Sequence, residues 1–170
     1  RKGVTEKGRM PHRRARIALK HLVMRHDEKR LRGRIAASGL IPSESVDTAA
    51  ALKAGGAHLS PHLSGEAILT VGGSLHEIVT EVCGAIAIGP FGCRPNRISE
   101  AILTDVMTRE GKLGVSPRPS PALAELEPGE PLPFMAIESD GAAFPQVTEA
   151  RLEAFLLRAR RLHERVSLNR

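Results

Sequence analysis

The sequence contains no tryptophan, no tyrosine and only four phenylalanines among its 170 residues. With so few aromatic side chains, the core must be built from Ile, Leu, Val and Ala, as helices packed on a parallel sheet allow. The same scarcity leaves too few aromatic platforms for the bases of single-stranded nucleic acid to stack on. The composition therefore favours an aliphatic α/β core and argues against that kind of nucleic-acid binding.

Long apolar runs, a secretory signal and a disulfide framework are also absent. No run approaches the roughly 20 residues needed to cross a bilayer, and no apolar segment follows the basic N-terminus. The two cysteines, Cys83 and Cys93, are too few for a disulfide scaffold. We therefore expect a cytoplasmic protein with reduced thiols and no membrane partner. Because the first residue is Arg1 and not Met, we interpret the chain as a fragment of a larger polypeptide.

Positive charge is concentrated at one end of the chain. Residues 1–34 contain 13 Lys and Arg against 3 Asp and Glu, although the net charge of the whole chain is only +6. A basic segment of this kind can contact nucleic acid or a membrane. Since no zinc-finger or RNP-like motif accompanies it, we do not expect nucleic acid as a partner. We favour a solvated helix face or a contact with another part of the parent protein.

The hydrophobic spacing predicts a helical N-terminal part. We expect residues 1–10 to be an extended lead-in and residues 11–170 to form a single α/β domain. Helices are predicted from Pro11 to about Arg34, from Ser45 to Gly56 with Ser45 as the N-cap, and from Ser64 to Val82. Two consecutive glycines, Gly72 and Gly73, should bend or divide the third helix, because each costs roughly 1 kcal/mol relative to Ala.

The C-terminal half predicts a parallel sheet flanked by helices. Two short apolar runs, "AIAIG" from Ala85 and "FMAIES" from Phe134, are typical of buried parallel strands. The first run should be covered on both faces. Each run is followed by a helical pattern, and residues 111–133 form a Pro-rich connector. The order strand, helix, strand, helix predicts a right-handed βαβα unit, so the fold class is α/β.

The loops after the two strands are the candidate functional loops, because ligands in open α/β sheets bind beyond the carboxyl ends of the strands. In the first loop, "GPFGCRPN", Cys93 comes just before a helix, where free N–H groups stabilise a thiolate. Cys93 is open to three interpretations: a metal or iron–sulfur ligand, a reactive thiol, or a small buried residue without chemistry. Cys83 is interpreted as a core residue.

The second loop, "ESDGAAFPQ", contributes carboxylates. Glu138 and Asp140 are suited to acid–base chemistry or to binding a ribose or substrate hydroxyl. The alternatives are that Asp140 and Gly141 simply form a turn and that Glu138 makes an ion pair or caps a helix. The chain contains no phosphate-loop motif, no HExxH pattern and no nucleophile elbow.

Three stretches of the chain are similar to a known family: "GEAILTVGGSLHEI", "CGAIAIGPFGCRPNRISEAIL" and "PFMAIESDGAAFPQVTEARLEAFLLRARRL". They resemble the C-terminal region of the large fused acyl-CoA dehydratase activases, of the benzoyl-CoA reductase and 2-hydroxyglutaryl-CoA dehydratase activator family. The resemblance runs from about Ala15 to Leu162. It implies actin-type ATPase domains upstream, whose phosphate motifs do not occur here, so ATP is not expected to bind this chain. It also implies similarity to dehydratase subunits, whose α/β domains hold iron–sulfur clusters through cysteines.

The resemblance carries over to particular residues. The family's GPFGC turn matches Gly89, Pro90, Phe91, Gly92 and Cys93, which makes Cys93 the candidate cluster ligand. Its strand-end E-x-D-G signature matches Glu138, Asp140 and Gly141, which would shape the same site. The chain departs from the family at Arg94, where Met is expected, and at Ala142, where Asn is usual.

The function implied by the resemblance is an iron–sulfur-dependent component of an ATP-driven electron-transfer system. It would serve 2-hydroxyacyl-CoA dehydratase or aryl-CoA reductase chemistry, with dehydratase or reductase subunits as partners and a CoA thioester as a possible ligand. One thiol cannot hold a cluster that typically needs four cysteines, so the other ligands would lie outside this chain, which is not catalytically complete by itself. Arg94 and Arg97 would offset cluster charge, meet a CoA phosphate, or simply be exposed. The alternative function is a non-catalytic α/β interaction module.

Overall fold

A computed structural model describes residues 10–39, 47–63, 65–116, 121–143 and 145–168. The chain divides after Val46 into two units, which are described separately. Nearly all of the predicted lead-in lies outside the described residues. In the described ranges, every helix is too short or too polar to cross a membrane.

The first unit contains one long helix, α1 (Met10–Ala36), which confirms the helix predicted from Pro11 to Arg34. Its apolar side chains are exposed, with Leu22 67% and Met24 68% accessible. Apolar and basic residues are spread around the helix and do not form one apolar stripe. Within the helix, Arg32 Nε lies 3.1 Å from Glu28 Oε1, a pair of the i, i+4 type that supports an exposed helix.

The second unit begins with α2 (Thr48–Gly55) and α3 (Ala67–Glu77). Asp47 caps α2, because its carboxylate accepts hydrogen bonds from the backbone N–H groups of Ala49 and Ala50, both at 3.0 Å. The predicted N-cap, Ser45, lies outside the described residues. The N-cap observed, Asp47, is therefore two residues later than the one predicted.

Glycines allow α2 and α3 to make close backbone contact. A Cβ atom at Gly72 would lie 1.8 Å from the carbonyl oxygen of Ala51, and one at Gly55 would lie 2.1 Å from that of Ile68. The sequence predicts that α3 bends or divides at Gly72 and Gly73. The helix runs through both glycines without interruption, so the alternative of a divided helix is wrong. Gly72 is needed for packing, which offsets its low helix propensity.

Helix α3 also ends earlier than predicted. It stops at Glu77, and residues 78–82 form a tight turn in which the N–H of Val79 donates to the carbonyl oxygen of Val82 at 2.8 Å. Val79 has φ 72°, a left-handed conformation that is costly for a β-branched residue. Its side chain is 2% exposed, so burial offsets part of this cost.

The described residues form one parallel pair of strands, β1 (Ala85–Gly89) and β2 (Phe134–Glu138). The register runs from Ala85 opposite Phe134 to Gly89 opposite Glu138. Both strands lie where they were predicted, and the fold is broadly α/β. The specific βαβα unit is not confirmed, because three helical segments and not one lie between the two strands. Between them lie α4 (Arg94–Val106), α5 (Arg109–Val115) and α6 (Pro121–Ala124), and α7 (Gln146–Leu168) follows β2. The connector predicted over residues 111–133 thus contains helical segments, because Thr108 caps α5 and Pro121 begins α6.

Burial differs between the two strands. The interior residues of β2 are buried, whereas in β1 Ile86 is 39% and Ile88 is 64% exposed. Ala87, on the opposite face of β1, is buried. The prediction that β1 is covered on both faces is therefore wrong for the described part of the chain, since only one of its faces is covered.

The core is aliphatic, as the scarcity of aromatic residues predicts. It lies among α3, α4, the segment after α6 and the end of α7. Phe134 packs against it while remaining partly exposed. Its most deeply buried members are Val71, Leu75, Ile78, Leu103, Leu123, Leu132 and Leu162.

Candidate functional site at the carboxyl ends of the strands

A cleft of about 310 Å³ lies at the carboxyl end of β2. Phe91 from the first loop and Glu138 and Asp140 from the end of β2 and its following loop all line it. The two loops therefore meet at one edge of the sheet, as the parallel pairing requires. The remaining lining residues include Arg97 and Glu100 from α4 and Thr148 and Arg151 from α7.

Glu138 is the most enclosed carboxylate of the cleft. Its Oε1 lies 3.3 Å from Arg97 Nε, and Arg97 also approaches Glu100, with Nη1 3.4 Å from Oε2. The structure thus shows the ion pair that was one alternative for Glu138. Among the described residues, Glu138 Oε1 is buried without a hydrogen bond of suitable geometry. This oxygen therefore retains the capacity to accept a hydrogen bond from a ligand.

Asp140 and Gly141 form a turn, which was the alternative interpretation of this dipeptide. Asp140 Oδ1 accepts a hydrogen bond from the N–H of Ala142 at 2.9 Å, and Ser139 Oγ accepts one from the N–H of Gly141 at 3.0 Å. Gly141 has φ 90°, which favours glycine. The turn holds the Asp140 carboxylate at the cleft.

Asn96 is a buried polar residue beside the site that the sequence analysis did not identify. It is 8% exposed, and its Nδ2 has no hydrogen-bond partner among the described residues. A Cβ atom at Gly89 would lie 2.7 Å from Asn96 Cγ, so the glycine that ends β1 is required for this contact. The sequence did contain a signal for this contact, namely a glycine at the end of a strand and an Asn in the first turn of the next helix.

Cys93 is the N-cap residue of α4, as predicted from its place before a helix. Its backbone N–H donates to the carbonyl oxygen of Pro90 at 3.1 Å, and Gly92 completes the turn with φ 71°. Its side chain makes no capping hydrogen bond within the described helix start, and its thiol is partly exposed. The sulfur is therefore placed where the α4 N-terminus favours negative charge.

The structure does not bring all predicted site residues into one cavity. Phe91, Glu138 and Asp140 line the cleft, whereas Cys93 and Arg94 are not among its lining residues. The cleft lining also excludes the remaining predicted site residues, Gly89, Pro90, Gly92 and Gly141.

The described residues do not form a complete metal site. Within the ranges that the structure describes, no group of three or more His, Cys, Asp or Glu side chains could hold a metal ion. An iron–sulfur cluster is typically held by four cysteines. Of the residues described, Cys93 could therefore supply one ligand, and the cluster as a whole does not fit this part of the chain.

Lys112 is a buried cation away from the cleft that the sequence analysis also missed. Its side chain is 2% exposed, and its Nζ donates to the carbonyl oxygen of His76 near the end of α3. Burial lowers the pKa of Lys112 to about 8, while the nearby Glu77 and Glu81 act in the opposite direction. This contact joins α5 to the end of α3, where a cation is favourable.

Comparison with known proteins gives no assignment: no family model, no curated protein and no solved structure matches this chain.

Proposed function

We propose that this chain is one part of an iron–sulfur-dependent, ATP-driven electron-transfer system for 2-hydroxyacyl-CoA dehydratase or aryl-CoA reductase chemistry. In this proposal the GPFGC turn supplies Cys93 as one cluster ligand, and other polypeptide regions supply the remaining ligands and bind ATP. When bound, the cluster would deliver a low-potential electron to a thioester. The observation that carries the proposal is the partly exposed Cys93 thiol at the N-terminus of α4.

The electrostatics around Cys93 support this role. Cys93 lies at the N-terminus of α4, where the partial positive charge of the helix end would suit a negatively charged cluster. Arg94, the next residue, is exposed and could offset cluster charge or meet a CoA phosphate. Arg97 is already engaged with Glu100 and Glu138, so it would organise the cleft instead.

The cleft supports a role in holding the polar part of an acyl substrate. Its volume of about 310 Å³ is at the small end of ligand sites, which suits a short acyl group better than a whole coenzyme. Glu138 Oε1 would accept a hydrogen bond from a substrate hydroxyl, since it is buried without another such bond among the described residues. Arg151, whose Nη2 donates to the carbonyl oxygen of Ala136, adds positive charge at the wall formed by α7.

The two cysteines provide a matched test of the proposal. The chain would be expressed within the longer polypeptide that the resemblance implies and loaded with iron and sulfide without oxygen. We expect Cys93→Ser to lower iron content and visible absorption, because it removes a ligand, and Cys83→Ser to leave both unchanged. Iron content and absorption that are insensitive to Cys93→Ser would reject the ligand role.

A second candidate function, an interaction module, is favoured by the outer edge of β1. The N–H of Ala85 donates to the carbonyl oxygen of Pro133, and the carbonyl oxygen of Gly89 accepts from the N–H of Ser139. The backbone N–H and C=O groups of the odd-numbered residues of β1 therefore point toward β2. Because the backbone alternates, Ile86 and Ile88 direct their N–H and C=O groups away from β2. An edge of this kind, with exposed isoleucines, is a template for another strand.

The outer edge of β2 is treated differently. Arg151 Nη2 donates to the carbonyl oxygen of Ala136 at 3.3 Å, and Arg158 Nη2 approaches that of Leu132 at 3.4 Å. Both arginines come from α7. Arg151 therefore occupies an outward-facing carbonyl group of β2, which opposes strand addition there, while Arg158 contacts the segment just before the strand.

Association of the isolated chain tests this second function. We propose that two copies pair through their β1 edges, since a two-fold axis would bring the same isoleucines together. Sedimentation should show a dimer of the unaltered chain and a monomer for Ile88→Lys, because an edge lysine opposes strand pairing. A chain that stays monomeric at high concentration would remove this candidate.

A further inference from the structure

The second cysteine has a chemical partner that is distant in sequence. Cys83, in the loop before β1, is partly buried against the core, in line with its interpretation as a packing residue. Its Sγ, however, also lies 3.6 Å from Nδ1 of His163 on α7. This distance is within reach of a hydrogen bond to sulfur, so an imidazole base stands next to a thiol.

The imidazole has a further neighbour one helical turn away. Ser167 Oγ lies 3.4 Å from Nδ1 and 3.3 Å from Nε2 of His163. His163 and Ser167 are both exposed, so a small reagent can approach from solvent. A thiol, a base within reach of it and a third group beside the base form the arrangement that activates cysteine nucleophiles.

Close packing holds the two groups opposite each other. A Cβ atom at Gly84 would lie 2.6 Å from Phe155 Cζ and 3.4 Å from the Cβ of Ala159. Gly84 directly follows Cys83, and Ala159 precedes His163 by one turn of α7. The loop is therefore pressed against the helix at the point where the sulfur meets the imidazole.

We propose that Cys83 is a reactive thiol that forms mixed disulfides with small-molecule disulfides. His163 Nδ1 accepts the thiol proton, and the Cys83 sulfur attacks one sulfur of the disulfide. A new S–S bond forms as the old one breaks, and the departing thiolate takes up the proton from the imidazolium. The disulfide is itself the oxidant, and one equivalent of it yields one thiol. This inference does not depend on the proposed role of Cys93.

The test measures the reaction of Cys83 with an aromatic disulfide that releases a coloured nitrothiobenzoate. In a Cys93→Ser chain, Cys83 is the sole thiol. We expect His163→Asn to lower the second-order rate about tenfold or more, because Asn can hydrogen-bond but cannot take up the proton. The matched control is His58→Asn, which changes an exposed histidine in another loop and should leave the rate unchanged.

A second measurement uses the same Cys93→Ser chain unfolded in urea. It gives the rate at which the Cys83 thiol reacts with the aromatic disulfide when the chain has no structure. This comparison does not require any substitution of a histidine. The folded chain should react faster than the unfolded one. A folded rate equal to or below the unfolded rate would overturn the proposal. An unchanged rate in His163→Asn, with helix content preserved by circular dichroism, would overturn it as well.

Discussion

Two regions of the second unit differ in the size and exposure of their apolar residues. One is the contact between α2 and α3, and the other is the outer side of β1. Between the helices, the closest approach is made by Gly55 and Gly72, the smallest residues available, against backbone carbonyl oxygens. On β1, the two isoleucines, which are the largest residues of the strand, are exposed. Glycine therefore permits close backbone contact between the two helices, whereas the large side chains of β1 leave apolar surface exposed.

The largest expected effect on this comparison comes from Gly72→Ala. The new methyl group would meet the Ala51 carbonyl oxygen, a backbone atom that cannot rotate away, so α2 and α3 must separate. We expect the free energy of unfolding to fall by about 4 kcal/mol, measured by urea denaturation.

The adjacent Gly73 is the matched control for that substitution. No described atom lies within 4 Å of a Cβ placed at Gly73. Gly73→Ala should therefore raise stability by up to about 1 kcal/mol through helix propensity. Similar losses for both substitutions would show that helix packing is not the reason for Gly72.

A smaller effect is expected from the titration of Lys112. Its pKa is about 8 in the folded chain and 10.5 in the reference state. Between these values the unfolded chain keeps a proton that the folded chain has released, so stability rises with pH across this window. The rise in the free energy of unfolding should be about 3 kcal/mol in urea denaturation and should be missing in Lys112→Met. Parallel pH profiles of the two chains would argue against the burial of Lys112.

The smallest effect is expected on β1. Ile88→Lys should change the free energy of unfolding by less than about 0.5 kcal/mol, because Ile88 is 64% exposed. The measurement is urea denaturation at a concentration where the chain is monomeric. A loss of about 2 kcal/mol would mean that Ile88 is covered in the folded monomer, and the contrast with the helix pair would disappear.

Local signals in the sequence were sufficient for the elements that depend on neighbouring residues. The spacing of apolar residues located α1 and both strands, and the Gly-Pro turn placed Cys93 at a helix start. The carboxyl-end rule brought Phe91 and Glu138 to one cleft. These features follow from periodicity and turn chemistry within about ten residues.

Features that depend on residues far apart in the sequence could not be predicted from the neighbouring residues alone. Gly72 looks like a helix breaker until Ala51 is seen against it, and Lys112 looks like a surface residue until His76 accepts its hydrogen bond. The pairing of Cys83 with His163 spans 80 positions. The exposure of Ile86 and Ile88 likewise could not be predicted from the apolar pattern of β1, which is typical of a strand covered on both faces.

Arg151 of α7 contacts the outer edge of β2, whereas the described part of the chain places no strand beside the outer edge of β1. A strand added beside β1, as the second candidate function proposes, would make β1 the middle strand of the enlarged sheet. If the added strand runs parallel to β1, its carboxyl end would lie next to Gly89. The loop after that strand would then lie beside Cys93, on the side away from Glu138. The turn that carries Cys93 would then be the middle one of three neighbouring loops, those after the added strand, β1 and β2. Donor atoms of the added polypeptide could then lie close to Cys93.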